Sequence, residues 1–211
     1  NVAVLPLKPE LAAKFNETAA YEWFKTVEGL PYGYHNFLFS WIDTVDTSYP
    51  PLLDPDFVSV VFSILEKFVP SVVDTFLGQA LNKRIGTEGL KLPQIAEEIA
   101  KRNLTFPQLY AMIEKEGWVY NDGLSYVCSC FVTAIWKAGG LFEGMDVIAT
   151  EFTPRDVYQI NFFDENYKKP KACQDADPEL PYCQIMGKHK MILPGFNTVK
   201  PYSHMNERCP S

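Results

Sequence analysis

YVCSCFV, residues 126–132, stands inside the longer run EGWVYNDGLSYVCSCFVTAIWKAGGLF, residues 116–142, and puts two cysteines one residue apart at the head of an apolar segment. If a helix starts near Tyr126, then Val127, Phe131, Ala134, Ile135 and Ala138 fall on one broad face, and Gly139-Gly140 end it. Residues two apart on a helix point about 200° from each other, so Cys128 and Cys130 cannot bond to one another or share a metal. A redox pair or a zinc site wants a two-residue spacer and further ligands nearby, so both readings lose weight. A helix N-terminus offers unpaired backbone N–H groups and the positive end of the dipole, which favour a thiolate and steady an oxyanion forming beside it. That favours Cys128 as a nucleophile, with Cys130 packed or disulfide-bonded. The plainer alternative, both thiols buried as small hydrophobes, is the commoner fate of cysteine.

The other three cysteines, Cys173, Cys183 and Cys209, lie in a polar, Pro-rich tail. In KACQDADPELPYCQ, residues 171–184, Cys173 and Cys183 bracket an acidic loop poor in apolar residues, and a disulfide there offsets disorder by restricting the unfolded chain. Pairing Cys130 with Cys209 then leaves Cys128 as the odd free thiol. Two glycosylation triplets, Asn16-Glu17-Thr18 and Asn103-Leu104-Thr105, join the disulfide in pointing to a secreted protein or a lysosomal or other endomembrane lumen. The chain opens on NVAVLPLKPEL without Met or a charged-then-apolar leader, as expected of a proteolytically matured product.

A net charge of −7, with 19 Lys and Arg against 26 Asp and Glu, leaves no basic field for a phosphate backbone, so nucleic acid is disfavoured as a partner. The longest apolar run, FVSVVFSIL at 57–65, stops at Glu66-Lys67, far short of the roughly 20 residues that span a bilayer. The chain is expected neither to span a membrane nor to carry a cofactor or a metal, and its 47% hydrophobic content suffices for a substantial core.

Helical spacing predicts a helix from Pro9 to about Glu28, with Leu11, Phe15, Ala19, Trp23 and Val27 on one face and Gly29 at its end. LPYGYHNFLFSWIDTVDTSYPPLLDP, residues 30–55, reads as an aromatic, extended segment laid on a core. Further helices are predicted at about 55–69, 71–84, 93–102, 105–115 and 153–163, the last with Thr153 as cap and Pro154 in its first position. Strands are sparse, near 117–120 and 182–193, so the class is α+β, helix-rich with a small antiparallel sheet.

CSCFVTAIWKAGG, residues 128–140, resembles the nucleophile helix of the NlpC-type, papain-like cysteine hydrolases, whose motif is Asp-Cys-Ser-Gly-Phe-Val. Cys128, Ser129, Phe131 and Val132 match it; Val127 stands in place of Asp and Cys130 in place of Gly. EWFKTVEGLPYGYHNF, residues 22–37, resembles the family's Gly-x-Pro-Tyr segment, here Gly29, Pro31 and Tyr32, whose tyrosine lies near the catalytic thiol. EFTPRDVYQI, residues 151–160, resembles the Thr-Pro-x-Asp stretch that follows the nucleophile helix in the circularly permuted branch, which includes YiiX-like and lecithin:retinol acyltransferase-like enzymes. GYHNFLFSWIDT together with NDGLSYVCSCFV is similar to the C-terminal half of large eukaryotic secretory members of this superfamily. The resemblance implies a papain-like domain over residues 1–165 with a helical insertion at about 50–115, and a Cys-rich tail, 166–211, packed on it.

A thiol hydrolase needs an imidazole to take up and return the thiol proton, and a polar group to orient it. His189 is flanked by lysines and reads as a solvated loop residue, and His204 reads as a structural or surface residue of the tail. His35 follows the Gly-x-Pro-Tyr element that the resemblance sets beside Cys128, with Asp43 or Asp46 to orient it and Tyr32 or Tyr34 to offer a hydroxyl to the oxyanion. In the permuted branch the base sits on a strand preceding these segments, which implies an N-terminal partner chain from the same precursor as its other source. The expected function is a hydrolase or acyltransferase acting on an amide or ester bond of a small-molecule, lipid or peptide substrate through a Cys128 acyl-enzyme. The alternative is a non-catalytic secretory binding or structural protein on the same scaffold, with Tyr32, Tyr34, Trp41 and Tyr49 lining a recognition surface.

Overall fold

A computed structural model of the chain describes residues 2–35, 38–39, 54–120, 124–185 and 194–205. Strand β1 (Val2–Val4) is followed by α1 (Pro9–Lys14) and α2 (Glu17–Val27), so the single helix expected from Pro9 to Glu28 is two. Asn16 breaks it: its backbone is extended, and its Oδ1 accepts a hydrogen bond from the Ala19 N–H at 3.0 Å, which caps α2 afresh.

Helix α3 (Pro55–Phe68) starts where Asp54 Oδ1 accepts from the N–H groups of Asp56 and Phe57. Helices α4 (Pro70–Val73) and α5 (Gln79–Ile85) are joined by a π-helical turn, Asp74–Gly78, and Gly86 ends the rod in the left-handed region at φ 68°. Next come α6 (Leu92–Lys101) and α7 (Phe106–Tyr110), the latter capped reciprocally by Thr105 and Gln108. The helix expected over 105–115 ends at Tyr110 because the chain beyond it turns inward to deliver Glu114 to Arg84. Helix α8 (Cys128–Ala138), a 3₁₀ turn (Ala149–Glu151), α9 (Pro154–Gln159) and α10 (Lys171–Ala176) complete the helical part. Thr153 caps α9 as its sequence predicts, but the helix stops at Gln159 because Ile160 bridges to Val199.

The only extended pairing between strands among the described residues is β1 with β2 (Cys183–Ile185), antiparallel, with Val2 opposite Ile185 and Val4 opposite Cys183. Residues 117–120 form no strand, and the expected strand beyond Ile185 runs into 186–193, outside the described residues. The molecule is thus α+β, helix-rich with a small antiparallel sheet. Among the described residues no helix is long and apolar enough to cross a membrane.

Apolar side chains gather in two main cores. One lies among α3 to α7 around Val73, Leu77, Leu81, Ile95 and Leu109; the other joins Phe142, Phe152, Ile160 and Phe162 to Met205, with Trp136 of α8 against it. The first core also contains an ion pair, Arg84 Nη2 to Glu114 Oε2 at 2.7 Å, with side chains 0% and 1% exposed. Tyr120 donates its hydroxyl to the other Glu114 oxygen, and the Arg84 guanidinium lies 3.7 Å from the Phe39 ring centroid. Cys173 and Cys183 form a disulfide with a Cα–Cα distance of 5.2 Å, tying α10 to β2.

Candidate functional site

Helix α8 begins at Cys128 because Val127 is still extended, at φ −91° and ψ 169°, while its carbonyl accepts the first helical bond from Phe131 N–H at 2.8 Å. That start is two residues later than the apolar spacing predicts. Tyr126 is held out of the helix by a parallel bridge to Tyr32, in which Gly33 N–H donates to the Tyr126 carbonyl at 3.0 Å. Cys128 therefore takes the first helical position, where its own N–H and that of Ser129 have no acceptor within the helix.

The bridge depends on glycine. A Cβ at position 33 would stand 3.0 Å from Tyr126 N and 3.1 Å from the carbonyl carbons of Ser125 and Tyr126, so tight that the Tyr126 backbone would have to give way by a fraction of an ångström. This approach sets Tyr32 Oη 4.0 Å from Cys128 Sγ, with the phenol as donor. Burial, and then negative charge at Cys128, raise the Tyr32 phenol above its ordinary 10.0, so it keeps the proton it donates.

Helix α2 packs on the rings that flank the thiol. Trp23 and Phe24 pack on Phe131 with ring centroids 5.6 and 6.1 Å away, and Trp23 meets Tyr126 edge-on at 5.5 Å. Beside these rings lies a cleft of ≈ 260 Å³, lined by Val27, Leu30, Pro31 and Tyr32 together with Tyr126, Val127, Cys128 and Phe131. None of these carries a formal side-chain charge other than a Cys128 thiolate. A larger cleft, ≈ 410 Å³, lies between the π turn with α5 and the 87–91 loop; Asp74, Lys83, Glu88 and Lys91 line it, and it includes neither a thiol nor an imidazole.

The two thiols of α8 are separated as helix geometry requires. Cys128 is free and exposed; Cys130 is free and 0% exposed, with Sγ donating to the Thr150 carbonyl at 3.1 Å. Burial pushes the Cys130 thiol far above its ordinary 9.0. The expected pairing of Cys130 with Cys209 is corrected here: Cys130 is a free thiol satisfied by backbone, and Cys209 lies outside the described residues. The buried face of α8 keeps Val127 and Ala134 of the expected one, while Phe131, Ile135 and Ala138 are only partly buried. Ser129, Cys130, Thr133 and Ala134 are buried, Cys130 on the 149–152 turn, while Phe131 is half-buried facing α2 and the cleft.

His35 is 4% exposed, and its Nδ1 lies 2.8 Å from the Phe76 carbonyl of the π turn, which can only accept, so Nδ1 carries the proton. Its ring stacks on Tyr120 at 4.3 Å and 14°. No hydrogen bond joins His35 to Cys128 among the described residues. Asp43, Asp46, Trp41, Tyr49 and His189 lie outside the described residues. His204 is half-exposed, with Nδ1 3.3 Å from the buried Glu151 carboxylate. Both triplet asparagines, Asn16 and Asn103, are exposed. Tyr126, Val27 and Leu30 escape a motif-based reading, although Val27, at i+4 from Trp23, marks the face of α2 that turns to the cleft; Pro31 is legible within the Gly-x-Pro-Tyr element. Among the described residues no group of three or more His, Cys, Asp or Glu converges on a metal position. No family model, curated protein or solved structure matches the chain.

Proposed function

We propose that the chain is a thiol-dependent hydrolase or acyltransferase of papain-like type, acting on an amide or ester bond through an acyl-enzyme on Cys128. The observation that carries this reading is an exposed, free thiol at the first position of an 11-residue helix, in an uncharged cleft, with a protonated phenol 4.0 Å away. In the first step Cys128 Sγ bonds to the substrate carbonyl carbon, the bond to the leaving group breaks, and the thiol proton ends on that group. Water, or an acceptor alcohol or amine, then attacks the thioester; the S–C bond breaks, and the proton lost by the attacker returns to sulfur. The N–H groups of Cys128 and Ser129 and the Tyr32 hydroxyl are the donors for the oxyanion.

The proton relay in this reading is a group outside the described residues, an imidazole of a partner chain from the same precursor, because His35 is buried against Tyr120 and Phe76 and no hydrogen bond joins it to Cys128. The Cys173–Cys183 disulfide supports a secreted or lumenal setting. Exposure to an activated acyl ester such as p-nitrophenyl acetate tests the chemistry. One acyl adduct is expected by intact mass, mapping to Cys128 and absent from Cys128→Ser; an adduct that persists in that variant overturns the reading. The placement of His35 favours a second reading, a non-catalytic binding protein on the same scaffold. It is distinguished by an adduct that forms and never turns over in the presence of the partner chain.

A further inference from the structure

The aromatic wall beside the thiol continues past Tyr32. Tyr34 packs edge-on to Tyr32 at 5.1 Å between centroids, and Phe76 of the π turn packs edge-on to Tyr34 at 6.2 Å. Tyr32, Tyr34 and Phe76 are 46%, 59% and 40% exposed, so the row lies open to solvent from the cleft outward. Phe76 belongs to the helical region at about 50–115 that the papain-like resemblance leaves uncovered. Two contacts hold the row in line: Gly33 N–H on the Tyr126 carbonyl, and His35 Nδ1–H on the Phe76 carbonyl, with the imidazole clamped on Tyr120.

Resting on the reading of Cys128 as the acylated thiol, we infer that Tyr32, Tyr34 and Phe76 form an apolar-chain subsite, and that the acyl group transferred is an uncharged, unbranched alkyl chain. The row starts at Tyr32, whose hydroxyl reaches the sulfur and whose ring lines the cleft, and the cleft lining offers a charged acyl group no counter-ion. A peptide laid along the same path brings an N–H and a C=O with every residue, and ring faces leave these without partners. An alkyl chain brings none, and gains free energy with each methylene that leaves water. His35 is a positioning residue in this arrangement: it fixes the Phe76 ring against Tyr34 and touches no reacting atom.

The test is the chain-length dependence of thiol capture by N-ethylmaleimide and N-octylmaleimide, which share one reactive group. Second-order rates at Cys128 are read by intact mass with peptide mapping. In the parent protein the octyl reagent is expected to react about tenfold faster than the ethyl one, after correction for the same ratio on free cysteine. Phe76→Ala and Tyr34→Ala, both at exposed positions, lower that ratio several-fold. His35→Phe keeps the stack on Tyr120, removes the donor, and also lowers the ratio, which a role in stability alone would not move. A ratio near unity in the parent, or one unchanged in both alanine variants, overturns the subsite while leaving the thiol chemistry standing. An independent measurement needs no reactive sulfur: binding of the uncharged fluorophore N-phenyl-1-naphthylamine to Cys128→Ser, displaced by octanol. Binding that weakens several-fold when Phe76→Ala is added supports the subsite even if Cys128 proves unreactive and the acyl-enzyme reading falls. Binding indifferent to Phe76→Ala overturns it.

Discussion

Cys130 gives up water for the backbone of the 149–152 turn, with Sγ 3.1 Å from the Thr150 carbonyl and 3.7 Å from that of Phe152. Its thiol is raised by burial, so the unfolded chain ionises first as pH climbs. The contribution to stability is whole below the ordinary value of 9.0 and is lost progressively above it. Tyr110, pushed up to about 12, and Tyr120, raised by burial and by the Glu114 charge, act in the same direction at higher pH. The melting temperature is therefore expected to fall between pH 8.5 and 11 in thermal unfolding followed by circular dichroism, and Cys130→Ala to flatten the first part of that fall. A flat or rising profile contradicts the placement. The sequence separates the two thiols by their angle on a helix, but which one is buried depends on residues 149–152, whose approach leaves no mark in the local pattern. The same holds for His35: its proximity to the Gly-x-Pro-Tyr element is legible, whereas its engagement by Phe76, 41 residues away, is not.

Helix boundaries follow the sequence where a side chain caps locally and depart from it where a distant backbone intervenes. Thr153 and Pro154 announce α9 without help, because the cap closes within three residues. Asn16 divides α1 from α2 by the same chemistry, and an apolar repeat that runs through it conceals the break. The start of α8 is set instead by the bridge between Tyr32 and Tyr126, 94 residues apart, which only the fold reveals. Gly33→Ala tests that bridge, since its Cβ would press on the Tyr126 backbone. A loss of about 1–3 kcal/mol in chemical unfolding is expected, with slower alkylation of Cys128 as Tyr32 is displaced. Gly117→Ala is the control: nothing lies within 4 Å of its Cβ, and its stability should stay within about 1 kcal/mol of the parent. Equal stability of the two variants would remove the bridge from the account of the site.

Two cores and a crosslinked tail hold the thiol cleft in place. The helical core depends on Arg84 and Glu114, a pair 30 residues apart that the sequence presents as ordinary surface charges. Truncating one partner leaves a buried charge uncompensated, so Glu114→Ala is expected to cost about 3–5 kcal/mol, seen as a large drop in the denaturation midpoint. A drop no larger than that of Glu98→Ala, whose half-buried carboxylate pairs with Arg102 at the surface, would show that the pair is not buried as described. The tail disulfide was legible because composition alone argues for a staple in an acidic, apolar-poor loop; the ion pair was not, because pairing at that range is a property of packing. What the whole arrangement accomplishes is the presentation of one sulfur and the concealment of another. Iodoacetamide labelling of the native protein under non-reducing conditions, mapped residue by residue, tests this most directly. The expected result is selective modification of Cys128 at a rate above that of the same residue in the urea-unfolded chain, with Cys130 untouched until unfolding. A native Cys128 that stays unlabelled, or reacts no faster than when unfolded, would contradict it.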